Sequence, residues 1–166
     1  ARFDTAGLRT TIAGCVDFLG LEAPSTPGIS LALARAVAAE ALAQAGIGKP
    51  GRFPGGLFLA APPLEQEWPQ LMRLAQRAPG DRSRRTYEDL FSAAGQDGGD
   101  RAIDYCNGTT ADRLADELGT QGSPITANTA CASGATAIQL GVESIRRGAA
   151  AALAIGTDGS LHIETL

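Results

Sequence analysis

The most regular hydrophobic pattern in the chain is ISLALARAVAAEALAQA, residues 29–45. Leu31, Ala34, Ala38, Ala41, Leu42 and Ala45 form an apolar stripe, and Arg35, Glu40 and Gln44 fall outside it, which predicts an amphipathic helix. Thr26 is predicted to cap this helix, Pro27 to take its first position and Gly46 to end it. LFLAA, residues 57–61, is short and continuously apolar and reads as a buried strand. Residues 62–78 predict a helical segment interrupted at Pro69. The stretch from Pro79 to Arg101 is polar and rich in Gly, Asp and Arg, with one helix predicted near Arg85–Ala94. A further amphipathic helix is predicted over Thr109–Leu118, ended by Gly119.

The last third is the most informative. PITANTA alternates and predicts a strand, CASGATAIQLGVESIRRG a helix ended by Gly148, and AAALAIG a strand buried on both faces. Strand, helix and strand make a βαβ unit, and the fold class is α/β. Positions 131, 135, 138, 142 and 145 share one helix face, Ala137, Leu140, Gly141 and Ser144 lie opposite, and no charge precedes Glu143. A helix apolar nearly all round is predicted to bury its N-terminal end, where Cys131 stands. At that end, free backbone N–H groups and the helix dipole favour a thiolate, and the same N–H groups can stabilise an oxyanion. Gly134, one turn in, suits close passage of another backbone or of an acyl chain. Free cysteine is also among the most buried residue types. Position and helix polarity therefore leave a structural thiol and an activated nucleophile equally open.

Composition narrows the function without choosing it. A chain of 166 residues can hold one domain with a real core. The formal charge of −4 argues against nucleic-acid binding, which needs a basic face. No apolar run is expected to approach the length of a membrane span, and no basic-then-apolar leader is visible. Cys15, Cys106 and Cys131 match neither a metal-ligand spacing nor a disulfide framework, so no metal is expected and a cytoplasmic setting with reduced thiols is the economical reading. Cys106 is assigned to the core, and His162 to a surface loop.

NTACASGATAIQLGVESIRRG, followed by an apolar strand and GTDGS, resembles the active-site segment of the β-ketoacyl-ACP synthases of the thiolase-like superfamily. That family writes the segment as T-A-C-[AST]-S-G, a helix ending I-R-x-G, and a strand closing on G-[GA]-[TA]-[DE]. RFDTAGLRTTIAGCVDF and the Ala-rich helix with AQAGI carry a weaker similarity, and the type II synthases are the nearest in kind. The resemblance implies a thiolase-like layered α-β-α fold, with a mixed sheet and a buried nucleophile helix. Residues 1–166 would be the N-terminal half of it, without the first strand, and inactive alone.

By the same resemblance, Cys131 would take an acyl group from an acyl-carrier protein or coenzyme A thioester, and its backbone N–H would supply half of an oxyanion hole. A decarboxylated malonyl-carrier carbanion would then attack that acyl group, aided by two histidines of the second half. No cofactor is implied. A homodimer pairing through the strand at 125–130 is implied, as is an acyl pocket around Ala61, Pro62, Pro63 and Leu64, where prolines replace the family's glycines and predict an unusual acyl preference. APSTPGIS lacks the basic cluster with which the elongation synthases grip a carrier protein; Arg82, Arg84 and Arg85 could substitute, or form a solvated charge run. DYCNGTTADRLADELG is more polar than is usual where the family approaches its dimer partner. The alternatives are a thiolase-fold acyltransferase, which needs a different nucleophile neighbourhood, and a non-catalytic chain-length-factor-like partner, which generally lacks the nucleophile.

Overall fold

Serine and glycine set the limits of the first helix. The computed structural model describes residues 25–49, 51–62, 86–96 and 108–160, with residues 6, 7, 9, 12, 14, 16, 20, 75–77 and 106 besides. Helix α1 spans Thr26–Ala45. Its N-cap is Ser25, whose Oγ accepts the Gly28 N–H at 3.2 Å, so the cap lies one residue before the predicted Thr26. Gly46 ends the helix in a left-handed conformation (φ 62°), as predicted. Burial follows Pro27, Ser30, Leu31, Ala34 and Ala38, whereas Ala41 and Ala45 are exposed because the last turns run past the core. By length and composition α1 is apolar enough to cross a membrane, against the expectation that no apolar run approaches that length; in this fold its apolar face packs into the core.

Three strands follow: β1 (Gly55–Ala60), β2 (Ile125–Ala127) and β3 (Ala151–Gly156). Between β1 and β2 lie helix α2 (Tyr87–Gln96) and helix α3 (Thr109–Leu118). Asp89 accepts the Thr86 N–H at 2.8 Å and the Thr86 hydroxyl accepts the Asp89 N–H at 3.4 Å, a reciprocal box just before α2. The bounds of α3 agree with prediction, and Gly119 is again left-handed. Most of the segment at 62–78, with Pro69, lies outside the described residues, although 75–77 are helical. Cys106 is exposed, against its assignment to the core.

The sheet order is β2-β1-β3, with both pairings parallel. An antiparallel member, which a mixed sheet requires, is not among the described strands. The strands β2 and β3 of the predicted βαβ unit are parallel but not neighbours, because β1 lies between them. The chain thus passes from β1 out to β2, then back across β1 to β3. If both crossovers keep the usual right hand, their helices must fall on opposite faces.

Side chains alternate accordingly. Leu57, Leu59, Leu153 and Ile155 face α1 and α3, joining Leu31, Ala34, Ala38 and Leu114 in the main core. Phe58 and Ala60 face the other way, against Ala137 of helix α4 (Ser133–Arg146). The result is an α-β-α layering. Strand β3 alternates between buried and exposed positions and is not buried on both faces, because α4 covers only part of the Ala152–Ala154 side.

Two side-chain links tie the layers. The fully buried Ser30 hydroxyl accepts the Gly159 N–H at 3.0 Å, and its carbonyl accepts the Thr157 hydroxyl at 2.8 Å. Ser30→Ala removes this buried hydrogen bond and is expected to lower unfolding free energy by about 1 kcal/mol, read by urea denaturation.

On the surface, Arg35 of α1 pairs through two of its guanidinium nitrogens, Nε and Nη2, with Glu117 of α3. The hydrogen bond from Arg35 holds the Glu117 carboxyl below the usual carboxylate range. A carboxyl with a lowered folded-state pKa stabilises above its unfolded value and loses that contribution as pH falls through the lowered one. Both side chains are about half exposed, so a double-mutant cycle at neutral pH is expected to give less than about 1 kcal/mol, vanishing in acid once Glu117 is protonated.

Candidate active site

All three strands run the same way, so their C-terminal ends meet at one edge of the sheet, the edge where open parallel sheets place their ligands. Ala61 and Pro62 follow β1 there, Asn128–Cys131 follow β2 and Thr157–Ser160 follow β3. The Ala61 N–H donates to Ala127 O at 3.3 Å and the Thr157 N–H to Ala60 O at 3.0 Å, which ties the three ends together. Of the predicted acyl-pocket residues, Ala61 is buried and Pro62 half-buried on this edge, while Pro63 and Leu64 lie outside the described residues. His162, Arg82, Arg84 and Arg85 also lie outside them. A cleft of about 550 Å³ lined by Lys49, Arg52, Phe53 and Gln121 opens by the start of β1, at the opposite edge from Cys131.

Cys131 sits in a single 3-10 turn, Ala130–Ala132, that leads directly into α4. It is exposed, against the burial predicted for the N-terminal end of this helix. Ser133, Ala137 and Gly141 form the buried face of α4, and the five positions 131, 135, 138, 142 and 145 point away from the sheet. Ile138 is 61% exposed, Ile145 46% and Val142 44%. The helix has two apolar faces, and among the described residues there is one sheet to cover one of them. Gly141, not Gly134, is the glycine that faces the sheet.

The turn begins at Ala130, whose φ of 50° is left-handed, the one such value outside glycine among the described residues. An alanine there costs about 1–2 kcal/mol of backbone energy, so surrounding bonds must hold it. Three hydroxyl residues do so. Ser133 Oγ donates to Ala130 O at 2.7 Å and accepts the Thr129 N–H at 2.8 Å. Thr136 Oγ1 donates to Ala132 O at 3.1 Å and lies 3.0 Å from Thr129 Oγ1. The carbonyls on both sides of Cys131 are therefore bonded by side chains from the first turn of α4. The Cys131 N–H, in the middle of the turn, donates to no group among the described residues.

Thr129, Ser133 and Thr136 escaped the sequence analysis as a group. Their spacing was the available signal: hydroxyls before and after a helix start commonly bond backbone groups three or four residues away.

A parallel sheet thus lies between helical layers, with an exposed cysteine beyond the strand ends on the turn that opens α4. Residues 28–166, most of the chain, match the family model described as β-ketoacyl synthase, N-terminal domain. The chain belongs to the β-ketoacyl synthase family of condensing enzymes, and its layered fold is that of the family's thiolase-like N-terminal domain. Comparison with curated proteins and with solved structures gives no significant match.

Proposed function

We propose that the protein containing this chain is a β-ketoacyl-ACP synthase of fatty-acid or polyketide synthesis, with Cys131 as its acyl acceptor. The observation that carries this reading is the Cys131 turn: an exposed thiol, a free N–H on the same residue, and the family's T-A-C-A-S-G setting. The Cys131 thiolate attacks the carbonyl of an acyl-carrier or coenzyme A thioester. The oxyanion so formed lies within reach of the Cys131 N–H. The tetrahedral intermediate then collapses, the old carbon–sulfur bond breaks, and the departing carrier thiolate takes up a proton. Condensation follows when a malonyl-carrier thioester loses carbon dioxide and its carbanion displaces Cys131 from the acyl group.

The outer apolar face of α4 fits burial against a second half of the molecule, which a domain described as N-terminal implies. Strand β2 pairs on one side with β1, and Ile125 is 46% exposed, which suits a homodimer in which β2 meets its symmetry mate.

Intact-mass measurement of the full protein with acyl-carrier thioesters, combined with carbon dioxide release from malonyl-carrier protein, tests the reading. Acylation with release supports a condensing enzyme. Acylation that never leads to release leaves an acyltransferase on the same fold, and a wild type that never acylates overturns the proposal.

A further inference from the structure

We infer that Ser133 is a positioning residue for the reaction at Cys131, acting on the peptide unit that joins Ala130 to Cys131. This rests on the acyl-acceptor reading above and goes beyond it. A trans peptide is one rigid plane in which the C=O of one residue and the N–H of the next point in opposite directions. No cis peptide occurs among the described residues. Ser133 holds the Ala130 carbonyl twice, by its backbone N–H and by its hydroxyl at 2.7 Å. Fixing that carbonyl fixes the Cys131 N–H on the opposite side of the same plane. This N–H is the donor that would meet the oxyanion.

The hydroxyl adds what the backbone bond alone does not. It also accepts the Thr129 N–H, so it links the residue before the left-handed Ala130 to the carbonyl after it. Ser133 is buried, which shields both bonds from exchange with water. Without the hydroxyl, Ala130 can relax out of its costly conformation, and the peptide plane rotates with it. The Cys131 thiol stays in place, but its N–H no longer points to where charge develops.

Two reactions of the same thiol separate this role from a structural one. Acyl transfer passes through an oxyanion, whereas alkylation by iodoacetamide displaces iodide at a saturated carbon and forms none. In the full protein, Ser133→Ala is expected to slow single-turnover acylation at saturating acyl-carrier thioester by about 10- to 100-fold, with the half-saturating concentration little changed. Its iodoacetamide alkylation should stay within about twofold of wild type, because that step does not use the oxyanion donor. Ser133→Thr keeps the hydroxyl and is expected to restore most of the acylation rate.

Unchanged acylation in Ser133→Ala overturns the inference, and so does a parallel fall in both reactions, which would mark a fault in the thiol or in the fold. A Ser133→Thr protein that alkylates normally yet acylates at least about tenfold more slowly than wild type overturns it too, and this measurement serves if the alanine variant does not fold. A wild type that never acylates removes the acyl-acceptor reading and this inference with it. A wild type and a Ser133→Ala variant that acylate equally remove the inference alone.

Discussion

Cys131→Ser is expected to abolish the acyl adduct that the wild-type protein forms with acyl-carrier thioesters. Serine preserves the shape of the side chain and the backbone N–H, so the oxyanion donor and the turn remain. What is lost is the nucleophile: a hydroxyl is a far weaker nucleophile than a thiol, and no described residue near the turn offers an imidazole to activate it. The acylation rate should fall on the order of ten-thousand-fold, which intact-mass spectrometry reads as absence of the adduct at any practical time. Thermal unfolding should be nearly unchanged, since the exposed Cys131 side chain contributes little to the core. An adduct of wild-type yield on the serine variant would place acylation at another residue.

Leu59→Ala is expected to produce the largest loss of stability among single core truncations. Leu59 is fully buried in the central strand, so truncation leaves a cavity between the sheet and the α1–α3 layer. Leucine-to-alanine changes in such cores cost about 2–5 kcal/mol, a large fraction of the stability of a domain this size. Urea denaturation should show a lower midpoint with an unchanged slope. A loss under about 1 kcal/mol would mean that neighbouring helices collapse onto the gap.

The helices were largely legible in the sequence, because their signals are local. Gly46 and Gly119 stop α1 and α3 where expected, and the error at the start of α1 is one residue, since Ser25 and Thr26 both offer a capping oxygen. The strands were legible as segments but not as a sheet. That β1 separates β2 from β3 depends on pairings between distant residues, which no local pattern encodes.

Burial divided in the same way. The apolar faces of α4 were read correctly, yet which of them is covered depends on the surfaces that meet the helix, and Cys131 proved exposed. Cys131 itself was singled out from its flanking motif. The hydroxyls of Thr129, Ser133 and Thr136 were missed as a group, because their bonds depend on the left-handed backbone at Ala130, which no local pattern announces.

The order β2-β1-β3 also bears on how the chain reaches its native state. Phe58 in β1 pairs with Ile125, 67 positions later, and Gly55 pairs with Ala151, 96 positions later. During synthesis β1 emerges before the other two described strands, with both of its hydrogen-bonding edges bare until these distant partners arrive. Pairings of such sequence separation form slowly, and an unpaired apolar strand is a template for pairing with other chains. Yield on expression should therefore be governed by the wait for β3, and slower initiation or chaperone supply should raise soluble yield more than stabilising α1 or α3 would.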